Sequence, residues 1–369
     1  MFAEPLRNVF REFNKLCRAL GLFGGKVTAT DGSKFRADNS RNNHHNKTTV
    51  ERELSRLDQK ISEYLNALDT ADAAEESEEK MSSEQIREIL KKLSERKEKY
   101  EGYQKRLETE SEISTVDPDA RMMRSGGDAR ALDVCYNIQT IVDEKHHLIA
   151  DFDVTTNSSD MGNLQNMSEK AMEVMGVETL TNLADKGYYD GQDISNCEAK
   201  RITCLIAKPK SAGYAKSEEF SRAGFLYDCE NDYYVCPCNK QLGFRWAKKY
   251  ENGKESRIYA NYQTCAECPQ KSVCTKAKHR QIERMSYQDT LDIVDRRTRN
   301  NKKLYQKRRE IAEHPFGTIK AVWGYKQFLC RGQLKVTAET AMACLAYNFR
   351  RVINIFKENE MNLLADMGA

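Results

Sequence analysis

Leu6, Val9, Phe10, Phe13, Leu16, Cys17 and Leu20 recur at helical spacing and predict an amphipathic opening helix, stopped by Gly21, Gly24 and Gly25. The next stretch, KVTATDGSKFRA from Lys26 to Ala37, puts Val27, Ala29 and Asp31 on one face by alternation. With Gly32 as a turn or bulge, it predicts two short paired strands. From Thr48 to Glu112 the period turns helical. Leu54, Leu57, Ile61, Tyr64, Leu65 and Leu68 form one stripe, and Ile86, Ile89, Leu90, Leu93, Tyr100, Tyr103 and Leu107 form another. An acidic, Ala- and Ser-rich connector, Asp72 to Glu79, joins them, and Ser82 or Ser83 can cap the second helix. The pattern predicts a long helical hairpin, a structural or dimerisation arm.

Beyond the hairpin, VCYNIQTIVD and HLIADFDVTT flank Glu144-Lys145-His146 and predict a β-hairpin between Asp133 and Thr156. Asp160 to Met175 reads as a helix and Glu178 to Ala184 as a strand ending in Asp185-Lys186-Gly187. Gln192 to Lys200 reads as a short helix and Thr203 to Ala207 as a strand. Ser211 to Tyr287 reads as irregular, and Asp292 to Phe356 as largely helical with an interruption near Pro315–Gly317. Removing the two insertions leaves an α/β unit, a mixed sheet with helices. The expected segments are an N-terminal helix (1–25), a core in two parts (26–47 and 113–210), the hairpin (48–112), a cysteine-rich insertion (211–290) and a helical C-terminal part of the core (291–369).

Composition changes this picture little. The 369 residues carry 59 basic and 56 acidic side chains, a net charge of +3, which permits a nucleic-acid partner without demanding one. No apolar run approaches a membrane span, and charged residues such as Arg7, Arg11 and Lys15 interrupt any signal-peptide core, so a cytoplasmic protein without membrane contact is expected. Twelve cysteines in such a chain point to metal before disulfides. The adjacent pairs His44-His45 and His146-His147 are expected at the surface, and Trp246 and Trp323 in packing.

Two aspartates, Asp31 and Asp185, end short apolar strands beside small residues, where a carboxylate can face a cleft. Glu313 lies one helical turn after Arg309 and two turns before Lys320, which sets cations on either side of an acid. Pro315 disfavours helix at His314, placing Glu313 beside a kink or junction. Three carboxylates brought together would repel unless cations joined them, and hard divalent ions take such oxygen ligands. Residue chemistry thus allows a metal nuclease or strand transferase but does not single out these three acids.

The stretches VTATDGSKFRADNS, TVDPDARMMR, CYNIQTIVDEKHHLIADFDVT, LADKGYYDG, EIAEHPFGTIK and MACLAYNFRRVINI occur in this order. In content and order they resemble bacterial insertion-sequence transposases of the DDE class, in the group with a Tyr–Arg–Glu–Lys signature. The resemblance covers most of Lys26 to Phe356 apart from the hairpin. It implies an RNase H-like core, a catalytic, Mg²⁺- or Mn²⁺-binding triad of Asp31, Asp185 and Glu313 holding two ions, and action on double-stranded DNA, at transposon ends and target, as a homodimer. Tyr305, Arg309 and Lys320 match the signature and would contact transposon-end DNA. Arg308 is a second candidate: Tyr305 fits Arg308 at the usual spacing, whereas Arg309 fits Glu313 and is favoured by its helical face. The implied reaction is end cleavage followed by strand transfer. The alternatives are a metal-dependent nuclease on the same fold, or a truncated DNA-binding fragment, since only about one helix precedes Asp31 where related transposases carry a DNA-binding region.

Cys236-Pro-Cys238, Cys265-Ala-Glu-Cys268 and Cys274 have zinc-like spacing. Related transposases carry a similar cluster, which favours Cys236, Cys265, Cys268 and Cys274 as a structural Zn²⁺ set. Cys238 is the substitute, and Cys229 and His279 are weaker options.

Overall fold

The structure is a computed structural model that describes residues 3–72, 83–125, 132–209, 217–251 and 253–367. Helix α1 (Ala3–Ala19) leads into strand β1 (Val27–Arg36). A short strand β2 (His44–His45), helices α2 (Lys47–Asp72) and α3 (Ser83–Arg106) and strand β3 (Ile113–Ser114) form the first insertion. Strands β4 (Arg121–Arg124), β5 (Leu132–Asp143) and β6 (Ile149–Thr155), helix α4 (Leu164–Met175), strand β7 (Leu180–Ala184), helix α5 (Gly191–Ala199) and strand β8 (Ile202–Ile206) follow. The second insertion holds β9 (Leu226–Asp228), β10 (Tyr233–Val235), β11 (Gln241–Lys249), β12 (Glu255–Ala260), α6 (Tyr262–Ala266), α7 (Lys271–Cys274) and β13 (Gln281–Met285). Helices α8 (Gln288–Asn300), α9 (Lys302–Phe316) and α10 (Gln333–Met367) complete the chain.

The fold is mixed α/β. Its main sheet runs β4-β5-β1-β7-β8, with β6 also paired to β5. Strand β1 is antiparallel to β5 on one side and parallel to β7 on the other. The expected pair of strands at Lys26–Ala37 is instead this single strand. It continues through Gly32 because β5 pairs with it from Thr28↔Asp143 to Arg36↔Cys135, leaving no need for a turn. One face of the sheet is covered by α1, α9 and α10. Ala29, Phe35, Phe152, Ile311, Phe316 and Tyr347 share its largest apolar cluster. The other face packs α4, whose buried Ser168 accepts from Asn182 on β7 at 2.7 Å.

In the hairpin, β2 and β3 pair to close the stem, and α2 alone spans about 39 Å at 1.5 Å per residue. Most of the connector and Ser82 lie outside the described residues; Ser83 begins α3. The stem corrects the surface reading of the histidines: His44 and His45 are buried. His44 Nε2 meets Glu112, and His45 stacks on Tyr103 with ring centroids 4.8 Å apart. His147 likewise stacks on His314 at 5.0 Å, in a left-handed backbone conformation with φ 56°. Adjacent histidines do point apart, and His44, His45 and His147 each find a packed partner of their own.

The region read as irregular contains a five-stranded antiparallel sheet, β13-β12-β11-β10-β9. Its strands are short and carry many exposed polar residues, so alternation was weak. Trp246 lies exposed on β11 rather than in packing, whereas Trp323 packs against the main core. Helix α9 runs through Pro315 and widens into a π-helical turn, Gly317–Val322. Proline lacks the N–H that an α-turn would use there, and Gly317 N–H still reaches the carbonyls of Glu313 and His314.

Candidate active site

The last parallel pair between β1 and β7 is Thr30↔Ala184, so Asp31 and Asp185 are the next residues on neighbouring strands. Parallel neighbours lie about 5 Å apart, which sets these two aspartates side by side at the carboxyl end of β7. Strand β7 stops there while β1 continues, opening a gap beside β1. Each carboxylate is fixed by its own following glycine: Gly32 N–H donates to Asp31 Oδ1 at 2.9 Å and Gly187 N–H to Asp185 Oδ1 at 2.7 Å. Burial raises the Asp31 carboxyl to about 6, against the attraction of Arg308 and with further help from Asp185 and Asp160.

Helix α9 and its π-turn supply the cations. The Tyr305 hydroxyl donates to Ala184 O at 3.2 Å, pinning the helix over the residue before Asp185. Arg308 faces this side, as its effect on Asp31 shows. Lys320 Nζ donates to Lys34 O at 2.5 Å and lies 4.1 Å from the Phe35 ring centroid. Burial depresses its ammonium to about 8, with Asp31 among the charges opposing that shift.

Glu313 is placed differently. It pairs with Arg309 at 3.0 Å on the outer face of α9, with side chains 53% and 79% exposed. The structure therefore joins Asp31, Asp185, Arg308, Lys320 and Tyr305, and turns Arg309 and Glu313 toward solvent. An acid that sequence reading missed, Asp160, lies at this site. Its Oδ1 accepts from Lys34 Nζ at 3.1 Å, Asn137 Nδ2 at 2.8 Å and Gln139 Nε2 at 2.8 Å. No spacing could have found it, because it stands in the loop before α4, read as part of that helix.

The thiols of the second insertion also gather. Burial raises Cys238 to about 11, helped by Cys268, Cys236 and Cys274. Cys274 rises through burial and through Cys265, Cys236 and Cys268, against Arg280. The Cys236–Lys240 turn folds over Cys236, with Lys240 N–H reaching its Sγ at 3.4 Å. Cys229 is exposed, and the His279 ring packs on Tyr262 at 4.3 Å. Among the described residues, no group of three or more His, Cys, Asp or Glu is arranged ready to hold a metal ion.

Residues 235–353 match a family model described as Transposase DDE domain. The match supports an insertion-sequence DDE transposase. The matched stretch contains the cysteine cluster, Tyr305, Arg308, Arg309, Glu313 and Lys320, and stops short of Asp31 and Asp185. Transposases of this kind act on DNA, generally with divalent metal ions, in nuclease and transesterification chemistry. No curated protein and no solved structure matches the chain. Among the described residues, no helix is long and apolar enough to cross a membrane.

Proposed function

We propose that this transposase cleaves the ends of an insertion sequence and joins them to target DNA at the gap beside β1. The observation that carries the reading is the in-register placement of Asp31 and Asp185 on adjacent parallel strands. The order β6-β5-β1-β7-β8, with three antiparallel strands followed by two parallel ones, favours an RNase H-like core.

The residues fit Mg²⁺ or Mn²⁺. The two aspartates supply hard oxygen donors, and burial, with a smaller push from Asp185, raises the Asp31 carboxyl in a way a bound cation would reverse. Two ions there would activate an attacking oxygen and stabilise the leaving one. We take Glu313 as the third acid. It stands on the outer face of α9, where its exposed pair with Arg309 is worth about 0–1 kcal/mol, and it joins the aspartates only if α9 shifts when DNA and metal bind. Arg308 and Lys320 hold phosphate oxygens, Arg308 through a bidentate fork, while Arg309 contacts DNA further out. Tyr305 keeps α9 seated at Ala184. Water first attacks the phosphorus at the element's end and displaces its 3′ oxygen as a hydroxyl; that 3′-hydroxyl then attacks a target phosphorus, joins to the target 5′-phosphate and releases the target's 3′-hydroxyl. Both ends act in one homodimeric complex.

Purified protein with Mn²⁺ should cut and join duplex DNA carrying the terminal repeats that flank its coding sequence. Cutting without joining would leave a nuclease. Full activity in Asp185→Asn would remove the aspartate pair from the mechanism.

The spacing of Cys236, Cys238, Cys265, Cys268 and Cys274 is what supports a second, structural ion, Zn²⁺, held by four of them once they rearrange, since among the described residues no three are yet set to hold a metal. The contact of Cys238 with Cys268 gives Cys238 a stronger claim than its spacing did. A zinc content near zero in purified protein would reject this site.

A further inference from the structure

Asp160 stands between the two aspartate turns. A Cβ at Gly187 would lie 2.9 Å from Asp185 Oδ1 and 3.5 Å from Asp160 Oδ2, so the two carboxylates face one another across that glycine. A Cβ at Gly32, next to Asp31, would collide with Asp160 Oδ1 and Gln139 Nε2 and lie 3.1 Å from Asn137 Oδ1. Gly32 is thus required by the closeness of Asp160, and Gly187 by that of Asp185 itself. Its three donors all fall on Oδ1, leaving Oδ2 turned toward Gly187. Gln139 in turn accepts from the buried Tyr188 hydroxyl, on the turn after Asp185. One carboxylate therefore connects the strand bearing Asp31 to the turn bearing Asp185.

A second observation points to a ligand. Asn137 is fully buried, and its Oδ1 has no hydrogen-bond partner although it faces Gly32. A buried acceptor left unpaired costs about 1–3 kcal/mol. Asp160 Oδ2 and Asn137 Oδ1 are both acceptors, so the ligand that satisfies them brings protons or positive charge. Asp160 Oδ2 faces the Asp185 carboxylate across Gly187, and a hydrated divalent cation held there does both.

We propose that Asp160, with Asn137, is the outer-shell carboxylate for the divalent ion held at Asp31 and Asp185. Asp160 is a positioning residue: it orients the cation's water shell and adds negative charge. Lys34 moderates that charge through its 3.1 Å ion pair. The inference rests on the Asp31–Asp185 reading above, and the test separates the two.

Mn²⁺ binding is measured by calorimetry on the DNA-free chain, with thermal melts to check folding. Removing an outer-shell partner typically costs 10–100-fold in metal affinity, so Asp160→Asn should weaken Mn²⁺ binding by at least about 10-fold. Lys34→Met removes the moderating cation and should tighten Mn²⁺ binding. A merely structural network would weaken binding in both variants, and that result overturns the proposal. Equal affinity in Asp160→Asn and the natural chain overturns it too, while leaving the Asp31–Asp185 pair in place. An Asp31→Asn variant that binds Mn²⁺ as tightly as the natural chain removes the underlying reading and this inference together.

Discussion

Replacing Asp31 with Asn should stabilise the metal-free protein while destroying its activity. The Asp31 carboxyl rises from the ordinary 3.8 to about 6, mainly through burial. A group whose folded pKa is raised gives stability that is present below its unfolded value and lost as pH rises through the folded one. Two units at 1.36 kcal/mol each amount to about 3 kcal/mol lost by the natural chain above pH 6. Asparagine does not titrate, keeps the shape and can still accept from Gly32 N–H. The stability gap in favour of Asp31→Asn should therefore grow by about 1.5 kcal/mol between pH 5 and pH 8. Urea melts in EDTA at both pH values measure it. Saturating Mn²⁺ should shrink the gap, because only the natural chain gains from the ion. A variant no more stable at pH 8, or a gap that stays flat with pH, would refute the argument that Asp31 is strained by burial and by its acidic neighbours.

Gly32→Ala should cost about 1–3 kcal/mol in melts, since its methyl group collides with Asp160 and Gln139, and strand transfer should fall with it. Lys320 has its ammonium depressed to about 8. End-DNA affinity by fluorescence anisotropy should drop from pH 7 to pH 9, while folding stability rises with pH from about 8 toward 10.5, where the unfolded chain binds more protons; an affinity flat with pH would take Lys320 out of DNA contact. Arg308→Ala should reduce strand transfer at least 10-fold, whereas Arg309→Ala should change stability by less than about 1 kcal/mol and activity less than Arg308→Ala; the reverse order of activities would restore Arg309 as the inner arginine.

Strong local periodicity made the opening helix, the arm, the β5–β6 hairpin and the alternation of β7, α5 and β8 legible from sequence. Asp31 and Asp185 were visible as strand-end acids, but their juxtaposition comes from pairing between residues about 150 positions apart, and no local pattern encodes it. The sequence favours Arg309 by its helical face, whereas in the fold Arg309 pairs with Glu313 on the exposed side of α9. The i,i+4 geometry that links Arg309 to Glu313 describes the exposed side of α9, whereas tertiary packing at Ala184 and β1 sets which side turns inward. Asp160 escaped because a loop residue acquires meaning only from the strands it lies over. The small sheet of the second insertion was hidden because its buried face carries polar residues such as Ser256 and Arg284 among the apolar ones.

The position of β1 at the centre of the sheet has a consequence for assembly. Its partners are β5 and β7, so the pair of aspartates exists only once segments far apart in the chain have met. Helices α9 and α10, from the stretch that matches the transposase domain, pack their apolar faces onto this sheet rather than onto each other alone. During synthesis helix α9 emerges after every strand of this sheet, and α10 follows it. High contact order of this kind slows folding. It also means that Asp31, Asp185 and α9, although far apart in sequence, come together only in the folded whole.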